Sequence, residues 1–269
     1  MVPAVTVAVA TVSATTGAGS GLTGGSLTHA GSGTLVLSGA NTFGGAVNVT
    51  NDGATLVVQN VAALGTGAAV NAVAGSTLRF DVAGAPLTLA KTLTVGAAVG
   101  KVLSLNQGGS DVAFTGGLAG AGDLTQTSAG KLTLGGTSAY AGKLSLFAGS
   151  TLELASAGAL NGSSLAGNLA FLGNGTLRYA AAPGVTSDAS AVLATIVPGS
   201  TLTIDTGAFS AAFDGALDGF LEGSVLAHGD GELEAERRKR RGELDGVALA
   251  GIEHQEHART FAGLGRRTR

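Results

Sequence analysis

A long phrase occurs twice in this chain, and that repetition limits the folds open to it. Residues 33–43, GTLVLSGANTF, return as residues 130–140, GKLTLGGTSAY, 97 positions later. The correspondence continues from residues 55–58 to residues 151–154. Repetition at a long, nearly fixed period is typical of solenoids and arrays, whose units bury their apolar face against neighbouring units. The sequence therefore predicts a repeat protein.

Within the repeat, apolar residues occupy alternate positions of short runs. Leu35 and Leu37 show this spacing, as do Val47 and Val49, and glycine, asparagine or aspartate bounds each run. Such period-two runs indicate short strands with one buried face. The 46 glycines fit a chain that turns often, whereas 4 prolines and 12% charged residues argue against a disordered linker.

Short strands without long connections must find neighbours to pair with, and a parallel β-helix supplies them. Each coil then hydrogen-bonds to the next at about 4.8 Å, with Leu and Val stacked inside and Thr and Ser outside. We expect coils of roughly 20 to 25 residues over residues 20–233, after an irregular segment or partial coil at residues 1–19. An antiparallel β-sandwich also uses many short strands, but it accounts less directly for the long period.

The repeat resembles a known family. Residues 35–45, LVLSGANTFGG, followed by residues 47–49 and 53–56, are similar to the autotransporter-associated β-strand repeat, and residues 132–154 form a looser copy. The resemblance implies a right-handed parallel β-helix in the passenger region of a bacterial type V secreted protein, at the cell surface, on the outer membrane or secreted. The residues that define the repeat are Leu35, Leu37, Gly39, Asn41, Phe43, Gly45, Leu132, Leu134, Gly136, Tyr140 and Gly142.

The resemblance also implies secretion parts that the sequence does not display. Residues 1–10 are partly apolar but lack a basic start, so they make a poor signal peptide. With 2 tyrosines, 9 phenylalanines and no tryptophan, the chain offers no aromatic-girdled strands for a membrane barrel. We expect a passenger fragment whose full-length parent is tethered to an outer-membrane β-barrel.

The C-terminal tail departs from the pattern. Residues 232–269 hold 16 of the 33 charged side chains. Just before them, residues 224–233 follow residues 26–35 at an offset of 198, as if a third repeat began. One hypothesis is that residues 234–269 are the repeat read out of frame, since a +1 reading of residues 236–239 can give Ser-Gly-Ala-Asn. The other is a genuine charged tail.

Chemical motifs are few. The basic cluster at residues 236–241 has no interleaved aromatics, and His254 and His257 have generic spacing, so we expect no nucleic-acid and no metal site. His29 and His228 are interpreted as surface corners. Four aspartates are scattered, and two Thr-Leu-Thr runs could belong to ladders that bind ice or carbohydrate, although threonine is also an ordinary outward strand residue. The residues concerned are Asp52, Asp81, Asp111 and Asp123, and residues 92–94 and 201–203.

These features favour a structural and adhesive protein. We expect no enzyme activity and no cofactor, and we expect a surface ligand or host molecule that the sequence does not name. The alternatives are a β-helical carbohydrate-active enzyme, which needs carboxylates or basic residues clustered on one face, and a non-functional truncated gene remnant.

Overall fold

The computed structural model describes residues 5–7, 25–82, 86–159, 169–180, 193–197, 199–208 and 224–229. These residues form strands and turns, and the strands belong to three sheets. Sheet A contains β1 (Val5–Val7), β2 (Leu27–His29), β4 (Val47–Val49), β6 (Ala69–Val73), β9 (Thr92–Gly96), β12 (Leu118–Gly120) and β15 (Ala139–Tyr140). Sheet B contains β3 (Thr34–Leu37), β5 (Thr55–Val58), β7 (Thr77–Phe80), β10 (Val102–Asn106), β13 (Asp123–Gln126), β16 (Leu144–Leu146), β18 (Leu169–Phe171) and β20 (Leu193–Ile196). Sheet C contains β8 (Leu87–Leu89), β11 (Val112–Phe114), β14 (Gly130–Leu134), β17 (Ser150–Leu154), β19 (Gly175–Tyr179), β21 (Thr201–Gly207) and β22 (Ser224–Gly229).

From β7 to β17 the chain visits sheets B, C and A in turn, and every strand pair among the described residues is parallel. The register pairs Leu132 with Leu152 but Leu78 with Leu105, so the turns differ in length. The result is a parallel β-solenoid of about 7 turns. The predicted parallel β-helix is confirmed, and the antiparallel sandwich is wrong.

The core lies between the three sheets. Leucines of successive turns stack directly on one another, as Leu103, Leu124 and Leu144 do in sheet B, and all three are fully buried. Phe80 and Phe114 pack edge to face, with ring centroids 6.2 Å apart. Because burying apolar area contributes roughly 25 cal/mol per Å², this continuous apolar column is the main stabilising element of the solenoid.

Among the described strands, β8 is the first of sheet C, and the turns within residues 25–82 close their third side with corner residues instead of a strand. In the first of these turns Asn41 is buried, and its Nδ2 donates to Ala63 O of the following turn at 2.5 Å. The second copy has Ser138 at the matching position, and Ser138 Oγ accepts from Leu118 N of the preceding turn at 3.1 Å. Both copies therefore use a buried polar side chain at this position of the repeat to link turns, although they link in opposite directions.

The repeats do not stack face on face. Leu27, at the start of the first copy, lies in sheet A, whereas Leu124, at the start of the second, lies in sheet B. The residues that begin a third copy form β22, in sheet C. From β3 to β14, which are equivalent strands of the two copies, the chain makes four turns and then advances to the next sheet. Each repeat is therefore displaced by one face of the solenoid.

The structure describes only a small part of the two terminal segments that the sequence predicted. Of residues 1–19, the structure describes β1, which pairs in parallel with β2. Residues 234–269, the charged tail, lie outside the described residues. In the described part of the chain, no helix has the length and apolar character needed to cross a membrane.

Candidate binding face

Two columns of outward side chains run along sheet C. The strands β14, β17, β19 and β21 are paired in register, so residues at equivalent positions follow one another from turn to turn. Neighbouring strands lie about 4.8 Å apart, which places successive side chains of a column in contact distance. One column holds Lys131, Thr151, Thr176 and Thr203, and the other holds Thr133, Glu153, Arg178 and Asp205.

Charged side chains of these columns form a continuous ladder of ion pairs. Lys131 Nζ lies 3.1 Å from Glu153 Oε1, and Arg178 Nη1 lies 3.4 Å from Glu153 Oε2. Arg178 Nε in turn lies 3.4 Å from Asp205 Oδ2. We call Lys131, Glu153, Arg178 and Asp205 the charge ladder. Its charges alternate in sign along the solenoid and cross-link four successive strands.

Glu153 is the central residue of the charge ladder. Its side chain is 11% exposed, whereas that of Arg178 is 48% exposed. Thr133 Oγ1 also donates to Glu153 Oε1 at 3.0 Å. Since a buried carboxylate without partners would be costly, these three donors make the burial of Glu153 tolerable. Arg178 and Asp205, 29% exposed, remain open to an external partner.

An apolar column borders sheet C at its corner with sheet B. Phe147, Leu172 and Val197 each follow directly after a strand of sheet B, and they are 48%, 44% and 37% exposed. Their backbone N–H groups each donate to the preceding turn at 3.1, 2.8 and 3.2 Å, which fixes them at equivalent positions. We call these three residues the apolar ridge. Large apolar side chains exposed in adjacent positions are typical of an interaction surface.

The other two sheets carry uncharged polar columns. On sheet A, Asn71 Nδ2 donates to Asn48 Oδ1 at 2.8 Å, in line with Thr28 and Thr94. On sheet B, hydroxyl side chains follow one another over six strands. They are Thr34, Thr55, Thr77, Ser104, Thr125 and Ser145. Charged and apolar groups of the C-terminal turns thus concentrate on sheet C and its corner.

Several polar side chains point inward. His29 is fully buried, and its Nε2 donates to Gly33 O at 2.9 Å, so its interpretation as a surface corner is wrong. The reason is strand alternation, which puts His29 on the same side as Leu27. Gln107 and Gln126 are fully buried and hydrogen-bonded to each other. Lys91 Nζ donates to Gly65 O at 3.0 Å, and burial lowers the pKa of its ammonium group.

Tyr140 is the largest fully buried side chain, and its hydroxyl lies 2.6 Å from Gly122 O and 3.0 Å from Lys143 O. Burial raises the pKa of the Tyr140 hydroxyl well above its usual range, and the negative charge of Asp123 adds to this effect. The hydroxyl therefore serves as a neutral donor to the backbone.

Two stretches of the solenoid match a known family of repeats. A family described as the passenger-associated-transport-repeat matches residues 27–58 and 124–154. The chain therefore carries two passenger-associated-transport repeats. Repeats of this family are typical of autotransporter passenger regions, which implies a surface-exposed or secreted protein. No curated protein and no solved structure matches the chain significantly.

The residues expected to define the passenger-associated-transport-repeat lie in or against the core. The seven that are not glycine all have buried side chains: Leu35, Leu37, Asn41, Phe43, Leu132, Leu134 and Tyr140. Gly45, Gly136 and Gly142 lie where turns approach closely, and a Cβ at Gly136 would lie 2.5 Å from Gly116 C. Gly39 and Gly142 are buried, and Gly45 is half-buried.

The scattered aspartates have local roles. Asp81 pairs with Arg79 at 2.8 Å and Asp52 with Lys101 at 3.2 Å, while Asp111 and Asp123 accept backbone N–H groups at 3.0 and 2.9 Å. Within the described residues, no group of three or more histidine, aspartate or glutamate side chains is placed to hold a metal ion. Residues 236–241, His254 and His257 lie outside the described residues.

The charge ladder and the apolar ridge were not predicted from the sequence. In both sets, each residue follows the previous one by a full turn of the solenoid, so its members lie far apart in the sequence. The sequence signal for both sets was that charged residues within strands, or apolar residues just after strands, recur about one coil length apart. The predicted Thr203 does belong to a threonine column with Thr151 and Thr176, whereas Thr94 continues the asparagine column.

Proposed function

We propose that this chain is a non-catalytic passenger segment that acts as a structural and adhesive rod on a bacterial surface. One observation carries the proposal: the two passenger-associated-transport repeats are consecutive building units of a single parallel solenoid. A solenoid lengthens by a fixed rise per turn, so repeats convert directly into reach. The ligand then meets outward side chains at regular spacing along the rod.

The distribution of charge supports an adhesive surface. The 33 charged side chains divide almost evenly between the long stretch 1–231 and the short tail, so most of the outward surface of the solenoid is hydroxyl, amide or small apolar. Uncharged faces of this kind bind through many weak hydrogen bonds and apolar contacts instead of one deep pocket. Adhesion through such a surface depends on contact along several turns.

The enzyme alternative needs carboxylates or basic groups that are free to act on a substrate. In the charge ladder, Glu153 lies between Lys131 and Arg178, and Asp205 Oδ1 accepts from Gly207 N at 2.9 Å. These contacts favour a role in holding turns together over a role in proton transfer.

Surface display tests the proposal. The full chain, with an N-terminal epitope, is placed between a secretion signal and an outer-membrane translocator in a Gram-negative host. We expect the epitope to be accessible to antibody on intact cells and cell adhesion to immobilised extracellular-matrix proteins or polysaccharides to rise. The matched control is Leu144→Asp, which places a charge in the core and disrupts the turns around β16.

The outcomes separate the parts of the proposal. An epitope that never reaches the surface contradicts the passenger role. Display without any gain in adhesion contradicts the adhesive role, and cleavage of the immobilised polysaccharide contradicts the non-catalytic role.

A further inference from the structure

The charge ladder and the apolar ridge share the same turns of the solenoid. Going from the turn of β14 to that of β21, the ladder residues are Lys131, Glu153, Arg178 and Asp205. The corner residues of the same four turns are Thr127, Phe147, Leu172 and Val197. At about 4.8 Å per turn, this strip of surface is roughly 14 Å long between its outer turns.

The charges along this strip are complementary to the same charges read in the opposite direction along the rod. Read forward, the signs are plus, minus, plus, minus, and read backward they are minus, plus, minus, plus. A second copy turned end for end therefore presents an acid to every base. From this arrangement we infer that sheet C and the apolar ridge form a self-association surface, whose occupant is a second copy of this chain lying antiparallel.

The symmetry of this pairing follows from the strand geometry. A twofold axis parallel to the strands of sheet C, between β17 and β19, reverses the direction of the rod but keeps each column facing its own counterpart. Glu153 then meets Arg178 of the second copy, and the long side chain of Lys131 reaches diagonally to its Asp205. On the ridge, Phe147 meets Leu172 of the second copy, so that apolar side chains cover one another.

The charge ladder disfavours a pair in which the two copies lie parallel. A twofold axis along the rod would place Glu153 against Glu153 of the second copy and Arg178 against its Arg178. Like charges opposite one another are destabilising. The charge ladder therefore selects the antiparallel arrangement, while the apolar ridge supplies the buried area.

We expect the association of the two copies to be weak because the contact surface is small. A strip of four turns is smaller than the roughly 800 Å² per partner of a stable complex, so we expect a dissociation constant on the order of tens of micromolar. Raising the salt concentration weakens it because the facing charges are screened. The surface acts in solution whether or not the rod is adhesive, so this inference does not depend on the proposed function.

Sedimentation of the full chain tests whether the ridge mediates association. We expect a concentration-dependent equilibrium between monomer and dimer, and Leu172→Asp should raise the dissociation constant at least about tenfold. Val99→Asp is the matched control, since Val99 is fully exposed in a turn away from sheet C. Both variants change exposed residues, and far-ultraviolet circular dichroism verifies their fold. A chain that stays monomeric to several hundred micromolar, or an equal response of the two variants, overturns the inference.

Cysteine cross-linking tests the antiparallel direction. The chain has no cysteine, so a single introduced thiol reports one position. In the antiparallel pair Thr127 meets Val197 of the second copy, whereas two copies of Thr127 lie about 14 Å apart along the rod. A mixture of Thr127→Cys and Val197→Cys should form mainly mixed disulfide dimers on mild oxidation. If each variant instead cross-links to itself as readily as to the other, the antiparallel pairing is wrong.

Discussion

Close contact between turns at the corners depends on single glycines. Gly45 N donates to Gly25 O of the preceding turn at 2.7 Å. A Cβ at Gly45 would lie 2.5 Å from Gly25 O and 2.8 Å from Ser26 Cβ. The backbone of one turn thus occupies the space that any side chain of the next would need, which explains glycine in this position of the repeat.

Gly45→Ala should therefore destabilise the rod by about 1–3 kcal/mol, because the two turns must move apart at this corner. The adjacent Gly44 gives a matched control, since a Cβ there meets only Thr66 Oγ1 at 3.9 Å. Urea unfolding of both variants measures the difference. Equal stability of the two variants would contradict the close approach of the turns at Gly45.

Tyr140 predicts a loss of stability in alkali. Because burial holds the pKa of its hydroxyl above the ordinary value of about 10, the unfolded chain releases this proton at a lower pH than the folded chain does. The folded state then binds more protons above pH 10, so the free energy of unfolding falls by about 1.4 kcal/mol per pH unit from this residue.

Urea unfolding between pH 9 and pH 11.5 measures this effect. Tyr140→Phe should unfold with a shallower pH dependence than the wild type, and the difference isolates Tyr140. The comparison is needed because Lys91 acts in the opposite sense: its lowered pKa is a penalty at neutral pH that disappears as the pH rises. Identical slopes for wild type and variant would mean that the Tyr140 hydroxyl is not protected from ionisation.

At the scale of strands, the charge ladder should add modestly to stability. Glu153→Gln loses the ion pairs with Lys131 and Arg178 and should cost about 1 kcal/mol in low salt, and less in about 1 M salt. The control is Asp52→Asn, whose partner Lys101 is about half exposed, so its loss should have no measurable effect. Thermal unfolding at two salt concentrations compares them. A cost for Glu153→Gln that does not change with salt would argue against an electrostatic contribution.

Strands of the repeat were predictable because alternation alone puts Leu35 and Leu37 on one side, and both are buried. The charge ladder was not predictable from the sequence. Because the turns differ in length, no constant number of residues separates Glu153, Arg178 and Asp205. Inward polar residues such as Gln126 were also missed. A glutamine amide can be buried only where a neighbouring turn supplies partners, and sequence alone does not show which turn that is.

At the scale of the molecule, each turn contacts only its neighbours, so damage should stay local. Leu35→Asp places an unpaired charge in the core of an early turn. We expect hydrogen exchange to accelerate in β2 to β5, with β16 to β19 still protected. Thr34→Asp is the matched control, because Thr34 is exposed in the same strand. Uniform loss of protection would show that the solenoid unfolds as one cooperative unit.

The displacement of each repeat by one face affects what a binding partner can reach. Each copy starts on the next of the three sheets. A side-chain motif encoded in the repeat therefore lies on a different face of the solenoid in each successive copy. Three copies, or about 13 turns and roughly 60 Å, separate two motifs that point the same way. A flat partner approaching from one side therefore engages every third copy, whereas a flexible partner that wraps around the rod can engage them all.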